Sequence, residues 1–375
     1  MAPIKIGIIG LSSGQSWAVW AHLPYLKNTT KYEIVALCNS SVASAEAAIK
    51  AHELSSTIKA YGSYEDLASD PNVELVVCSI RVDKHYEALL PSIKAGKDIF
   101  CEWPLAKDAA QADEMLKLAK EKGVKTLVGL QSNQSPTVKK IRELLDSGRI
   151  GTLLSTSFHG TSPFFTPTMM ESIAYQNDDT SGGNLLTIYG GHSLEGLTHA
   201  ISPIKSFQSH LATTHPSIQL TTQTGTPTTL QPRTTPDQIL LQGTLANNAV
   251  FSYHLRGGPA FANSPHAGLV WRLFGTDGEI QVTGPNTFMN IADTTDFRIE
   301  VFEHKSGEVE EVVLELDEWS REDGGGVPLF ARNIARLYEA FAEGKGEGDG
   351  VLGFEQAVER HRFIGEVYEK AGWKR

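Results

Sequence analysis

The chain has 375 residues, 41% apolar and 21% charged, with 33 Lys and Arg against 44 Asp and Glu, a formal charge of −11. That length accommodates two ordinary domains with their own cores, and the acid excess, much of it in "GEVEEVVLELDEW" at 307–319, argues against the basic stripe of a nucleic-acid surface. Cys38, Cys78 and Cys101 show no CxxC spacing, which gives neither a disulfide framework nor a zinc site, and no metal centre is expected.

In "MAPIKIGIIGLSSG" the apolar run is too short for a signal peptide or a membrane span. Cytoplasm is the expected compartment, with the nucleus open. Through residue 130, "IKIGIIG", "YEIVALC", "VELVVCSI", "DIFCE" and "KTLVGLQ" are apolar nearly throughout, as strands covered on both faces are. Helical patterns separate them; in "DAAQADEMLKLAKEKG" Ala109, Ala112, Met115, Leu116 and Ala119 share a face and Gly123 supplies the stop. Strand and helix alternating predicts an α/β Rossmann domain, a parallel doubly wound sheet, over 1–130.

Beyond about 150 the β-rich runs lengthen and are broken by hairpin signals such as Asn247-Asn248 and Thr276-Asp277-Gly278. Residues 131–375 therefore predict an α+β domain with a large open, mostly antiparallel sheet and a helix across it at about 184–201. The Thr- and Pro-rich "TTQTGTPTTLQPRTTP" (221–236) reads as an exposed loop. Two amphipathic helices close the chain and are expected to pack back toward the first domain.

In an open α/β sheet the ligand crevice lies beyond the carboxyl ends of the strands. The first such turn offers Gly10, Ser12, Ser13, Gly14, Gln15 and Trp17. It fits G-x-S-x-G, but a nucleophile elbow needs an oxyanion loop from an earlier strand, and this turn closes the first one. As a dinucleotide turn it places Ser12 and Gln15 where glycines belong, yet its small residues allow close approach of a pyrophosphate. The second strand ends in Asn39, Ser40 and Ser41. With no carboxylate there to repel a 2′-phosphate, NADP is expected at least as well as NAD, the alternative being that these residues only start a turn. Later turns add Arg81, His85, Glu102, Trp103 and Gln131 as cofactor contacts; His85 starts a helix, so a capping role competes.

"SIRVDKHYEALLPSIKAGKDIFCEWP", "SGGNLLTIYGGHSLEGL" and "FGTDGEIQV" together resemble the glucose-fructose oxidoreductase and inositol dehydrogenase (Gfo/Idh/MocA) family over nearly the whole chain. The resemblance implies a Glu-Lys-Pro motif at that strand end, after "DIFCE", with an Asp and a His four residues apart on the second-domain helix. Here Glu102 and Pro104 match, Trp103 replaces the lysine, Ile188 replaces the aspartate, and His192 remains. Hydride chemistry at a carbinol needs a proton acceptor on the oxygen, so His192, Tyr189 and Trp103 are the expected catalytic or site-shaping residues. The alternatives are a structural histidine and a packed tyrosine; Glu195 orients the His192 ring or caps its helix.

"IGLSSGQSWAVWAHLPYL", "EWPLA", "GLQSNQSP" and "PDQILLQGTL" resemble a subgroup, the fungal galactose-regulon repressors, which bind NAD(P) and govern a transcription activator instead of turning over substrate. Two expectations therefore stand: an NAD(P)-dependent oxidoreductase acting on a small polar carbonyl, alcohol or imine, or a catalytically silent NAD(P)-binding regulator with a protein partner. The family resemblance further implies a homodimer or tetramer formed through the open sheet.

Overall fold

The computed structural model describes residues 2–258, 266–291, 297–315, 317–321 and 326–374. It divides into two units, Met1–Gln131 with Asp317–Arg362, and Ser132–Leu316 with Phe363–Arg375.

The first unit has six parallel strands, five from the apolar runs and a short β3 besides: β1 (Ile4–Ile9), β2 (Tyr32–Cys38), β3 (Lys59–Tyr61), β4 (Leu75–Cys78), β5 (Asp98–Cys101) and β6 (Thr126–Val128). Their order, β3-β2-β1-β4-β5-β6, reverses direction of growth between β1 and β4, the switch point of a doubly wound sheet. The connections carry α1 (Leu23–Leu26), α2 (Val42–Ala51), α3 (Tyr64–Ser69), α4 (His85–Lys94) and α5 (Ala109–Lys122). Helix starts follow local chemistry. Ser41, Ser63 and Asp108 accept from the backbone N–H three residues on, and Gly123, at φ +65°, ends α5.

In the second unit, α6 (Pro136–Asp146) precedes β7 (Leu153–Ser162), β8 (Thr168–Met170) and α7 (Gly191–Ala200). There follow β9 (Ile204–Ala212), β10 (Ser217–Thr221), β11 (Pro227–Pro232), β12 (Gln238–Leu245), β13 (Val250–Gly257), β14 (Leu269–Gly275), β15 (Gly278–Gly284), β16 (Arg298–Glu303) and β17 (Val309–Val312). Eight of them make one sheet, β17-β16-β15-β14-β7-β13-β12-β9. Every pairing in it is antiparallel except β13 with β7. Alternation sets its two faces: Phe158, Tyr253 and Trp271 are buried on one, while Leu240, Val250 and Phe274 are exposed on the other. On the buried side Ser193 of α7 meets the Tyr253 hydroxyl at 2.7 Å.

The stretch 221–236, expected as a loop, instead contains β11, paired antiparallel with β10 in a three-stranded sheet, β11-β10-β8. Its residues are almost all exposed, so no alternation betrays it. As an edge strand it tolerates proline at both ends.

The chain then re-enters the first unit with α8 (Arg332–Ala342), and α9 (Phe354–Lys370) follows. Ile334, Leu337 and Tyr338 of α8 join Ile8, Leu37, Val77 and Phe100 in one core. Among the described residues, no helix is long and apolar enough to cross a membrane, and no group of three or more His, Cys, Asp or Glu could hold a metal ion.

Candidate functional site

In the first unit the turn after β1 is built around Gly10. Its φ is +97°, and a Cβ there would lie 2.4 Å from Ile80 Cγ2 and 2.5 Å from the Ser79 carbonyl oxygen, so only glycine fits without strain. Gly14 has no such constraint; its Cβ would meet nothing nearer than Ser12 Oγ at 3.7 Å. Ser12 Oγ accepts from the Gly14 N–H at 2.9 Å, Ser13 is exposed, and Gln15 Oε1 accepts from the Trp20 indole. The buried Trp17 Nε1 has no hydrogen-bond partner, although its ring lies edge-on to Phe330 at 6.0 Å.

At the end of β2 the Asn39 amide donates to the carbonyls of Leu11 (2.8 Å) and Ser44 (3.2 Å). It thereby ties the first turn to α2. Ser40 is exposed and Ser41 caps α2. Arg81 is exposed and grips Asp83 through Nε at 3.1 Å and Nη2 at 3.3 Å. His85 is buried: Nε2 faces the Ile80 carbonyl at 3.0 Å and Nδ1 that of Pro104 at 2.9 Å, and burial lowers its pKa. It makes no side-chain cap to α4; it pins the turn after β4 to the turn after β5.

Beyond β5 the Glu102 carboxylate is 7% exposed and meets His22 Nε2 at 2.9 Å, while His22 Nδ1 meets the Tyr338 hydroxyl at 2.8 Å. Gly129 makes room for it, since a Cβ there would fall 2.7 Å from Glu102 Oε1. Trp103 is 5% exposed, its ring 4.8 Å from that of His361. Gln131 is fully buried, and neither amide atom has a partner. These residues are compatible with a dinucleotide: Gly10 leaves a cradle that a Cβ would fill, and Trp17 and Gln131 carry buried polar atoms awaiting partners.

In the second unit Asn184 caps a helical stretch, accepting from the N–H groups of Leu186 and Thr187. A wide π-type turn, Leu185–Gly190, leads into α7. His192 follows Ile188 by four positions and Tyr189 by three on the continuous helical stretch that this cap begins. His192 is 8% exposed and its Nδ1 has no partner; burial alone lowers its pKa from 6.5 to about 3, so it is neutral. Ser132 Oγ and Asn133 Oδ1 are also buried without partners. Both belong beside α7: Asn133 Nδ2 donates to Glu195 Oε1 at 3.2 Å, and a Cβ on Gly196 would lie 3.2 Å from Ser132 Cβ. Tyr189 donates to Gln176 Oε1 at 3.3 Å, and burial raises its pKa far above the usual phenol range.

Ile188, Tyr189 and His192 lie on one continuous helical stretch, and Ser132 and Asn133, not singled out by the sequence, lie beside α7. Their segment, "QSNQSP", is conspicuous in sequence only as a run of uncharged polar residues. His22 carries no local sign of its role, because both its partners are remote in sequence.

Two family models match: "Oxidoreductase family, NAD-binding Rossmann fold" over residues 4–130 and "Gal80p, C-terminal domain" over residues 136–284. The dehydrogenase aclE of Aspergillus oryzae is 33% identical over 76% of this chain and 78% of its own. The galactose/lactose metabolism regulatory protein GAL80 of Saccharomyces cerevisiae is 29% identical over 78% of this chain and 69% of its own. Among solved structures, a super-repressor mutant of Gal80p from the same yeast superposes with a TM-score of 0.88 at 26% identity, covering 99% of this chain and 96% of that one. Levoglucosan dehydrogenase in complex with NADH and L-sorbose shares the fold, with a TM-score of 0.75 at 17% identity over 99% of this chain and 97% of that one.

Proposed function

Because the chain belongs to the NAD-binding Gfo/Idh/MocA oxidoreductase family, in its Gal80p-like branch, we propose that it is an NAD(P)-dependent oxidoreductase acting on a small carbonyl, alcohol or imine. One observation carries the reading: the buried His192 Nδ1 without a partner, on a helix whose neighbours Ser132 and Asn133 are also unsatisfied. A buried polar atom left unpaired costs ~1–3 kcal/mol, a cost that a substrate oxygen would relieve.

Neutral His192 is a hydrogen-bond donor rather than a shuttle, as in active sites where a neutral imidazole polarises a carbonyl. The Gly10 turn, with Trp17 and Gln131, would hold a nicotinamide dinucleotide, which would supply hydride to the substrate carbonyl carbon while the oxygen would take its proton from water. His192, with its proton on Nδ1, holds that oxygen; Ser132 and Asn133 orient the remaining polar group. Tyr189, kept protonated, shapes the site. The absence of a carboxylate at Asn39-Ser40-Ser41 supports NADP at least as well as NAD. The outer face of the eight-stranded sheet, with Leu240, Val250 and Phe274 exposed, supports association with a second copy.

A second reading has its own support. Trp103, Ile188 and neutral His192 leave none of the family's three polar positions with a group that titrates near neutrality, which favours a silent NAD(P)-binding regulator with a protein partner. Cofactor fluorescence titration followed by a carbonyl and alcohol panel, read by nicotinamide absorbance, separates the two. We expect turnover that His192→Ala sharply reduces while cofactor affinity stays within about twofold. Equal turnover in the variant overturns the role of His192. Saturable cofactor binding without turnover, together with a partner captured only when NAD(P) is present, selects the regulator.

A further inference from the structure

We propose that Phe164, Tyr189 and Phe288 form a wall for a planar aromatic or conjugated ring, so that the substrate is an aryl carbonyl or alcohol rather than a polyol. The inference rests on the oxidoreductase reading above and names its substrate class. Tyr189 and Phe288 are stacked with centroids 5.6 Å apart at 24°, Phe164 lies 5.5 Å from Tyr189, and Phe164 and Phe288 are 6.1 Å apart. All three are half-buried, so each keeps ring surface uncovered. Tyr189 stands three residues before His192, and Ile188 four before it, on one helical stretch. The wall thus stands on the helical stretch that also carries the unpaired imidazole.

The segment that presents Phe164 is firmly built. Phe165, fully buried, holds the left-handed conformation at φ +64°, which a bulky side chain adopts only when its surroundings dictate it. Those surroundings are specific. The buried Arg233 donates from Nη1 to the Phe165 carbonyl at 3.2 Å and from Nη2 to that of Thr166 at 2.9 Å, and Asp237 accepts from the same guanidinium at 3.2 Å. The Gly258 N–H donates to the Phe164 carbonyl at 2.9 Å. A Cβ on Gly257 would fall 2.5 Å from Phe165 Cβ, so the adjacent strand end is cut back to admit the loop.

A polyol needs a partner for each hydroxyl, and unpaired hydroxyls at an apolar wall lose binding energy. The wall's one polar atom, the Tyr189 hydroxyl, already donates to Gln176. Among the described residues of the second unit, the buried side-chain polar atoms without a partner are His192 Nδ1, Ser132 Oγ, Asn133 Oδ1 and Thr161 Oγ1, fewer than the hydroxyls of a polyol need. Offset-stacked rings gain beyond what burial alone gives.

The test uses the full chain saturated with NADP. Turnover of 1-phenylethanol, 1-cyclohexylethanol and inositol is compared in wild type, Phe288→Leu and Phe164→Leu. Binding of acetophenone to the protein saturated with oxidised cofactor, where no hydride is available, is measured by calorimetry. We expect the phenyl alcohol to be preferred, and either leucine variant to lower the phenyl-to-cyclohexyl ratio of kcat/KM about three- to tenfold, mainly through KM, with a matching loss of acetophenone affinity. Acetophenone binding that weakens in the variants, with no turnover of any alcohol, supports the wall and rejects the oxidoreductase reading. Turnover of inositol, or equal use of phenyl and cyclohexyl alcohols, overturns the wall and leaves that reading intact.

Discussion

Replacing His192 by asparagine should remove one acid-sensitive contribution to the stability of the second unit. In the folded chain the imidazole pKa is lowered from 6.5 to about 3 by burial. Between those values the unfolded chain binds a proton at this residue that the folded chain does not, so folding stability is retained above pH 6.5 and declines as the pH falls. One pH unit is worth ~1.4 kcal/mol. The loss attributable to His192 is then about 0.8 kcal/mol at pH 6.0 and about 2 kcal/mol at pH 5.0. Burial also lowers His85, His159, His199 and His254, but these are common to both proteins and cancel in the difference. Urea unfolding of wild type and His192→Asn at pH 7.5, 6.0 and 5.0 should therefore give curves that diverge toward acid, the variant losing less. Carbon-13 labelling of the histidines gives the same quantity directly, as a ring that does not titrate between pH 5 and 8. Parallel stability profiles, or a His192 resonance titrating near 6.5, would refute the neutral-donor argument.

Gly10→Ala, which brings a Cβ within 2.5 Å of the Ser79 carbonyl oxygen at φ +97°, should cost ~1–3 kcal/mol in thermal unfolding and abolish measurable cofactor titration. Gly14→Ala, with nothing nearer than 3.7 Å, should stay within about 0.5 kcal/mol; equal effects would disprove the distinction between the two glycines. Arg233→Met strands the buried Asp237 and frees the carbonyls of Phe165 and Thr166. Urea unfolding should register a loss of ~3–5 kcal/mol, and an unchanged midpoint would show that this pair does not hold the loop.

What could be read from the chain was set by how local each cause is. β1, β2 and β5 announce themselves because strands covered on both faces are apolar nearly throughout. β3 has only three residues, half-buried or exposed, too few to make a pattern. The Asn247-Asn248 signal marks a real hairpin: Asn248 takes φ +68° between β12 and β13. For the site, the spacing of Ile188, Tyr189 and His192 is a helical property and is visible in sequence. The partners of Asn39 are not, since a polar residue at a strand end looks the same whether its amide meets a ribose or the Leu11 carbonyl. Nor is the ring cluster, whose Phe164 and Phe288 lie more than a hundred residues apart and meet where the segment after β15 is tied to the end of β7, the Thr287 N–H donating to the Thr161 carbonyl at 3.1 Å.

The tripeptide after β5 shows how one motif can keep its structural ends and change its middle. Glu102 is buried against His22, which in turn meets Tyr338 of α8, and the missing side chain at Gly129 admits the carboxylate. These three groups join the end of β5 to elements 80 and more residues away. Replacing Glu102 therefore threatens the packing of the whole edge, whatever chemistry follows. The middle position carries no such obligation. A lysine there would need an ionic partner or exposure, whereas Trp103 is 5% exposed and packs against the His361 ring at an interplanar angle of 43°, contributing apolar burial instead of charge. An indole has one donor and no titration near neutrality, so the exchange removes a proton carrier while leaving the fold's fastening untouched. On the oxidoreductase reading proposed above, proton chemistry then falls to His192 or to water; His192, neutral and with its Nδ1 unpaired, is suited to hold an oxygen but not to store its proton.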